Sequence, residues 1–262
     1  MPIRDSYEPG RPCWVDLASS DPAAARAFYC GLFGWDAVVD PRPDAGGYAQ
    51  FTHDGHSVAG VGPIFTEGMP TAWTTYIATA DADATAAEVE ANGGTVLMPP
   101  FELLDAGRMT MFAGPDGAVA GAWQARQHTG AAFVTEPGGW NWSQLLSRDK
   151  DAAVAFYGAV FDWHLRHHPD WGEFLGLGAG DSNEIGGATQ MGDEFPPDMP
   201  SHWQVSFMVG GDLDDFLSRA QALGGTLIGA VADLPMNGRQ ATVADPQGAT
   251  FTVMSFPAQS DG

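Results

Sequence analysis

Cysteines and basic residues are scarce in this chain. The two cysteines, Cys13 and Cys30, are too few to form a disulfide framework in a chain of 262 residues. Lysine and arginine together number 11 against 33 acidic residues, which gives a formal net charge of −22. This charge repels phosphate backbones and anionic lipid, so we expect neither nucleic acid nor a membrane surface as a partner. The acidic surface would attract a cationic small molecule, or it serves solubility alone.

Long apolar runs are also absent from the sequence. No run could span a bilayer, and the first residues, MPIRDSYEPGRP, lack the apolar stretch of a signal peptide. These absences predict a soluble cytoplasmic protein. Phosphate-binding glycine motifs and the G-x-S-x-G nucleophile motif are missing too. Hydrophobic residues nevertheless make up 44% of the chain, which is enough apolar material to build folded cores.

An internal repeat organises the chain. Residues 21–36, DPAAARAFYCGLFGWD, are echoed at 149–164, DKDAAVAFYGAVFDWH. Further matches follow in the same order: MPTAW (69–73) with MPSHW (199–203), GGTV (93–96) with GGTL (224–227), and GPDGA (114–118) with DPQGA (245–249). The repeat predicts two domains, at residues 9–126 and 138–257, joined by a linker at 127–137.

Each half of the chain predicts the strand and helix order βαβββ twice. Asp21 is suited to cap a helix, Pro22 to occupy its first turn and Gly34 to follow its end. Asp149 repeats the cap in the second half, and apolar residues recur at helical spacing after both caps. The Asp-Gly pair at 54–55 predicts a hairpin turn between strands. Antiparallel strands with helices on one face make the predicted fold class α+β.

These motifs carry a resemblance to a known family. The helix that begins at Asp and ends in FY and FGW, followed by GG-T, GR and DP-x-G, resembles the vicinal oxygen chelate superfamily, which includes glyoxalase I, bleomycin-resistance proteins and extradiol dioxygenases. More narrowly, the chain is similar to two-domain glyoxalase-like proteins of actinobacteria. These proteins are also provisionally called hydroxylases, and some of them accompany anthracycline biosynthesis. The resemblance implies two tandem domains, each a pair of βαβββ modules that form a cup-shaped, mostly antiparallel sheet with helices outside and the ligand on the concave side.

The resemblance also implies where a divalent metal would bind. The family's His and Glu ligand positions correspond here to Trp14, Thr74 and Gly121 in the first half, and to Trp142, Gln204 and Thr252 in the second. None of these side chains is a carboxylate or an imidazole, which are the usual ligands of such a metal. We therefore predict no metal and no cofactor in either cup. A histidine-rich strand end at residues 164–168 is the weaker alternative for a metal site.

Strand parity predicts which side chains face the concave sides, because successive residues of a strand point to opposite faces. The predicted ligand-binding residues are Trp14, Asp16, Thr74, Tyr76, Gly121 and Trp123 in the first cup, and Trp142, Gln144, Gln204 and Met254 in the second. Apolar walls with a few polar groups suit flat organic ligands, and indole faces stack on aromatic rings or hold cations. Alternatively, the indoles simply fill the cups.

Two residues of the first cup sharpen this prediction. Gly121 stands where the family has a Glu, which predicts a floor opened for a bulky ligand. Asp16 alternates with Trp14 on the concave face, and a carboxylate there is costly to bury unless something pairs with it. A ligand amine or hydroxyl would serve as the partner, and Arg11 or Arg108 is the alternative.

Three functions follow from these patterns. The favoured one is metal-free binding of a bulky aromatic small molecule, a cationic or polycyclic natural product or drug, for sequestration or as an accessory to biosynthesis. The second is a lyase, isomerase or dioxygenase-type enzyme of the superfamily with unrecognised metal ligands, or a cofactor-independent enzyme in which Asp16 or Tyr76 is the acid–base group. The third is a protein-interaction role for the outer surface. Fold analogy does not choose among them.

Overall fold

The computed structural model describes residues 3–65, 68–178 and 183–257 of the chain. The first sheet contains β1 (Pro12–Ser19), β2 (Asp36–Val39), β3 (Ala49–His53), β4 (His56–Pro63), β5 (Ala72–Ala78), β6 (Thr95–Leu103), β7 (Gly107–Ala113) and β8 (Val119–Ala125). The second contains β9 (Trp140–Ser147), β10 (Trp163–His168), β11 (Gly172–Leu177), β12 (Glu184–Gln190), β13 (His202–Val209), β14 (Thr226–Leu234), β15 (Gly238–Ala244) and β16 (Thr250–Ser255).

Four α-helices connect these strands, one for each βαβββ module. They are α1 (Pro22–Phe33), α2 (Ala82–Ala91), α3 (Lys150–Phe161) and α4 (Leu213–Ala222). The predicted caps are confirmed: the Asp21 carboxylate accepts the backbone N–H of Ala24, and the Asp149 carboxylate accepts that of Ala152. Gly34 ends α1 in the left-handed conformation that favours glycine. No described helix has the length and apolar character needed to cross a membrane.

The two sheets have the same strand order. The first runs β2-β3-β4-β1-β5-β8-β7-β6, and the second runs β10-β11-β12-β9-β13-β16-β15-β14. The modules of each domain meet through the antiparallel pairs β1–β5 and β9–β13. The pairs β1–β4 and β5–β8 are parallel, whereas the remaining pairs of the first sheet are antiparallel. The predicted α+β class with two tandem, mostly antiparallel sheets is confirmed.

The first sheet curls so that its opposite edges approach each other. Strands β2 and β6 lie at the two ends of the strand order. Arg42, just beyond β2, nevertheless pairs with Asp105 in the turn after β6, and their closest nitrogen and oxygen atoms are 2.6 Å apart. Arg42 also pairs with Asp40 at 2.7 Å. This link joins the two rims of the cup.

The helix-bearing faces of the two sheets pack against each other. At the centre, the hydroxyls of Thr75 on β5 and Ser143 on β9 lie 2.9 Å apart. On one side of this contact α1 packs with α4, and on the other side α2 packs with α3. Each hydrophobic core is consequently shared between the domains: one joins the α1 module to the α4 module, and the other joins the α2 module to the α3 module.

Two reciprocal hydrogen bonds mark the pseudo-twofold relation between the domains. The Trp35 indole N–H donates to the backbone carbonyl of Gly138 at 2.7 Å. In the same way, the Trp163 indole N–H donates to the carbonyl of Gly10 at 2.6 Å. Both tryptophans are buried. The segment that enters each domain is therefore held by the tryptophan of the other domain, and the two cups face away from each other.

Candidate functional site

The predicted site residues of the first domain share its outward face. Trp14 lies directly opposite Tyr76 across the β1–β5 pair, and Asp16 lies opposite Thr74. Tyr76 is in turn aligned with Gly121 of β8. The alternate residue Thr75 faces the other sheet through its contact with Ser143, so the predicted set points the opposite way. Parity therefore placed these side chains on the correct face.

The expected opening at Gly121 is wrong, because side chains fill that space. A Cβ atom at Gly121 would lie closer than 3.0 Å to the Tyr76 ring. The Tyr76 ring thus covers the position where the family's Glu would stand. Trp14, Tyr76 and Trp123 are only 3%, 5% and 4% exposed. The first cup is an aromatic cluster that its own residues largely fill.

Tyr48 belongs to this cluster, although the sequence analysis missed it. The Trp14 indole N–H donates to the Tyr48 hydroxyl at 3.1 Å. The Tyr48 side chain lies over Gly60 and Gly62 of β4, where any Cβ atom would collide with it or press against it. Gln50 is aligned with Gly60, which in turn is aligned with Asp16. Parity on β3 would have found Tyr48, because it lies two residues before the outward-facing Gln50.

Asp16 is bound by tyrosine hydroxyls and not by arginine. The Tyr76 hydroxyl donates to the Asp16 carboxylate at 3.2 Å. Burial raises the pKa of Asp16 to about 7, and hydrogen bonds from Tyr76 and Tyr48 oppose this rise. The alternative partners Arg11 and Arg108 are wrong, because these arginines pair with exposed carboxylates on the helix side and the entry segment: Glu8, Asp83 and Glu102. The two catalytic candidates, Asp16 and Tyr76, are therefore in contact.

A segment after β8 covers one end of the first cup. We name residues 126–132 the strap. It begins at the β6–β7 turn, where the backbone N–H of His128 donates to Ala106, and it ends beside β1, where that of Ala131 donates to Cys13. The His128 ring lies edge-on to Trp14, with ring centroids 4.3 Å apart, and its backbone carbonyl accepts the Trp123 indole N–H at 2.9 Å. The sequence analysis assigned most of this segment to the linker and gave it no role.

The second cup holds fewer aromatic side chains at the matching positions. Trp142 is aligned with Ser206, which is aligned with Thr252. The Trp142 indole N–H donates to the Gln144 side-chain oxygen at 2.9 Å, and the Gln144 amide donates to Thr189 at 3.0 Å. Trp142 remains partly exposed, unlike its counterpart Trp14 in the first cup.

The other two predicted residues of the second cup lie on neighbouring strands. Gln204 is buried, and with its amide oxygen assigned to face β16 it accepts the backbone N–H groups of Phe251 and Thr252 at 3.2 Å. Met254 is aligned with Gln240 of β15 and is partly exposed. Gln204 is therefore committed to holding β16, whereas the partly exposed Met254 accepts a hydrogen bond from the Asn141 amide at 3.5 Å.

The residues at the family's metal positions do not fit a divalent metal. The first sheet presents an indole, a hydroxyl and a glycine at Trp14, Thr74 and Gly121, and the Tyr76 ring covers the glycine. The second presents an indole, an amide and a hydroxyl at Trp142, Gln204 and Thr252. Across the described ranges, no three or more His, Cys, Asp or Glu side chains cluster so that they could hold an ion. No chemistry through a metal follows from these donors.

Two family models match the chain. The model for the Glyoxalase/Bleomycin resistance protein/Dioxygenase superfamily matches residues 12–120. The model for the Glyoxalase-like domain matches residues 144–254. Each match corresponds to one of the two sheets.

Known relatives match the chain over nearly its whole length. CFP32 of Mycobacterium tuberculosis (strain CDC 1551 / Oshkosh), which is provisionally named a glyoxylase, is 44% identical over 97% of this chain and 98% of that protein. The anthracycline biosynthesis protein DauV of Streptomyces sp. (strain C5) is 36% identical over 98% of each chain. The Mn(II)-bound glyoxalase from Novosphingobium aromaticivorans has a TM-score of 0.64 at 19% identity, covering 94% of this chain and 82% of that chain, which supports the fold alone.

Proposed function

The chain belongs to the glyoxalase, bleomycin-resistance and dioxygenase superfamily, and from this premise we propose that it binds a flat aromatic small molecule without a resident metal. The observation that carries the proposal is the set of side chains at the family's metal positions. Both cups place an indole where a metal ligand would stand, at Trp14 and Trp142. An indole face binds aromatic rings and cations, whereas it is no ligand for a hard divalent cation.

The second cup is the better candidate for this site. Trp142, Gln144 and Met254 are partly exposed, so a ligand could reach the indole and the amide without displacing other side chains. In the first cup Trp14 and Trp123 lie under His128 of the strap, and a ligand would first have to move the strap. Asp16 of the first cup, for which we expected a ligand as a partner, already accepts a hydrogen bond from Tyr76.

The class of ligand follows from charge and from the relatives. DauV is named as an anthracycline biosynthesis protein, and anthracyclines are flat polycyclic aromatic molecules. The formal net charge of −22 favours a cationic ligand over an anionic one. A role in holding or handing over such a molecule during biosynthesis, or in sequestering it, is consistent with both observations.

Calorimetric titration with 9-aminoacridine, a planar cation, tests this function. We expect saturable binding that survives exhaustive dialysis against a chelator. Replacing the indole in Trp142→Ala should weaken binding about tenfold, because a stacked aromatic pair and its buried area are lost. The matched variant Trp14→Phe should leave the affinity unchanged, because Trp14 is covered. The proposal would be refuted if binding requires an added metal, or if Trp142→Ala leaves the affinity for 9-aminoacridine unchanged.

Proton-transfer catalysis at Asp16 is a second candidate, which the raised pKa specifically favours. A carboxyl group with a pKa of about 7 that contacts a tyrosine hydroxyl has the properties of a general base at neutral pH. Deuterium exchange at the carbon acids of a panel of α-hydroxy ketones, followed by NMR, would detect such a base. We expect exchange to rise through a pH of about 7 and to vanish in Asp16→Asn. Equal exchange by Asp16→Asn and the unchanged chain would exclude this role.

A further inference from the structure

A polar cleft lies at the mouth of the first cup, outside the aromatic cluster. Its volume is about 450 Å³, which falls within the range of about 300–1,000 Å³ typical of small-molecule sites. It is bounded by β3, by the β6–β7 turn at Asp105 and Ala106, and by the strap. Its described lining includes none of the residues that the sequence analysis proposed as ligand-binding.

Uncharged hydrogen-bonding side chains converge on this cleft. Gln50 and Thr52 reach it from β3, and Gln127 and Thr129 reach it from the strap. Within the described residues these four side chains make no side-chain hydrogen bond, unlike Ser57 beside them, which donates to Gly130. Two amides and two hydroxyls thus remain available, each able to donate as well as accept.

Two carboxylates share the arginine of the cleft lining, which leaves no free guanidinium for an anion. Arg42 is already paired with Asp105 and with Asp40. Burial lowers the pKa of His128 to about 4, so its ring is neutral at physiological pH. Its Nε2 atom is buried without a hydrogen-bond partner among the described residues. An anionic ligand would find no free guanidinium here, whereas a neutral hydrogen-bonding ligand would find several partners.

We propose that this cleft binds an uncharged sugar through the side chains of Gln50, Thr52, Gln127 and Thr129. Sugar hydroxyls both donate and accept hydrogen bonds, as these amides and hydroxyls do. This site lies in the other domain from the aromatic site proposed above, so it stands or falls independently of that function.

An NMR titration of the full chain with methyl β-D-glucopyranoside tests the proposal. The probe should shift the side-chain amide signals of Gln50 and Gln127 saturably, and single alanine variants identify these signals by their loss. The double variant Gln50→Ala, Gln127→Ala should bind the glycoside about tenfold more weakly, because two hydrogen bonds to the ligand are removed. Neither side chain makes a hydrogen bond to the part of the chain that the structure describes, so this variant should keep its fold, which the backbone amide spectrum checks.

Two control experiments distinguish a specific sugar site from nonspecific binding and from an anion site. Gln240→Ala removes a comparable outward-facing amide from the second domain and should leave glycoside affinity unchanged. Glucose 6-phosphate should bind more weakly than the neutral glycoside, because its charge meets no free cation. The proposal is overturned if the glycoside gives no saturable shift, if the double variant binds it as well as the unchanged chain does, or if the phosphorylated sugar binds more tightly.

Discussion

In the first cup the ring of Tyr76 covers Gly121, whereas the matching positions of the second cup hold Ser206 and Thr252. The carboxylate of Asp16 corresponds to the neutral amide of Gln144, and both are aligned with a glycine of the neighbouring strand. One cup is therefore an aromatic cluster around an acid, and the other is a more open surface of hydroxyls and amides beside an indole.

The opposite faces of the same sheets have remained alike. The Trp73 indole N–H donates to the Tyr29 hydroxyl at 3.0 Å, and the Trp203 indole N–H donates to the Tyr157 hydroxyl at 2.9 Å. These groups are buried between the domains, where each must satisfy the same packing demand. The outward faces do not pack against the other domain, so their residues could become different in the two cups. The ligand sites proposed above accordingly lie on the faces that differ between the two domains.

The largest expected effect on stability comes from removing either of the two tryptophans that join the domains by reciprocal hydrogen bonds. Trp35→Ala and Trp163→Ala should each lower the free energy of unfolding by about 3–5 kcal/mol, because each removes a buried indole and leaves a cavity. The effects should be similar, because Trp35 and Trp163 make reciprocal contacts to Gly138 and Gly10. Urea denaturation measures both values.

A gentler pair of variants separates packing from hydrogen bonding at these sites. Trp35→Phe and Trp163→Phe keep most of the ring but lose the N–H donor, and each should cost about 1–3 kcal/mol because a buried carbonyl is left unpaired. Exposed Trp171 serves as the control, and Trp171→Ala should change stability little. A large loss at one tryptophan with none at the other would show that the pseudo-twofold relation is geometric but not energetic.

The pH dependence of stability should also distinguish the two cups. The pKa of Asp16 is raised from 3.8 to about 7, so the folded chain binds a proton that the unfolded chain has lost. The stability contributed by this site is therefore complete below a pH of about 4 and falls as the pH rises to about 7. Asp16→Asn, which makes the position resemble Gln144, should remove this fall, which is roughly 4 kcal/mol. Thermal or urea unfolding across this pH range measures it.

Two other groups must be allowed for in that measurement. Burial lowers the pKa of His128 to about 4, so His128 makes stability rise with pH between about 4 and its ordinary pKa of 6.5, which opposes the slope from Asp16. Burial raises the pKa of Asp245, which adds a slope of the same sign as Asp16. The difference between Asp16→Asn and the unchanged chain cancels both contributions. Parallel stability curves for the two chains would mean that Asp16 ionises as an ordinary carboxyl group.

Sequence patterns predicted the architecture well, because its signals are local. Caps such as Asp21 and Asp149 are followed by apolar residues at helical spacing. These signals predicted the first and last residues of α1 and α3 to within about one residue. The repeat revealed the duplication, and parity assigned Trp14, Asp16 and Tyr76 to the correct face. The prediction that these residues bind a ligand remains a prediction.

The occupancy of the cups could not be read from the sequence, because it depends on contacts between distant segments. The missing side chain at Gly121 predicted an opening, but the Tyr76 ring occupies that space. Tyr48 reaches across β4 to Trp14, and His128 folds back from the end of the domain onto the same indole. Such long-range contacts leave no periodic signal along the chain.

The smallest predicted effect probes how the outward glycines are covered. Gly121→Ala should lower the free energy of unfolding by about 1–3 kcal/mol, because its Cβ would overlap the buried Tyr76 ring. In the second cup Gly187 is covered only by the end of the Gln144 side chain, which can rotate away. Gly187→Ala should therefore cost well under half as much. Urea unfolding of the two variants, which differ by one methyl group each from the unchanged chain, gives the comparison.

The outcome bears on which cup can admit a ligand. If Gly121→Ala costs more than Gly187→Ala, the aromatic cluster is tightly packed and the second cup is the one that yields to an incoming molecule. Equal and small costs would mean that Tyr76 moves as easily as Gln144, and the first cup would then be as accessible as the second. The preference for Trp142 over Trp14 as the ligand-stacking indole depends on the first result, because a ligand enters where side chains give way at little cost.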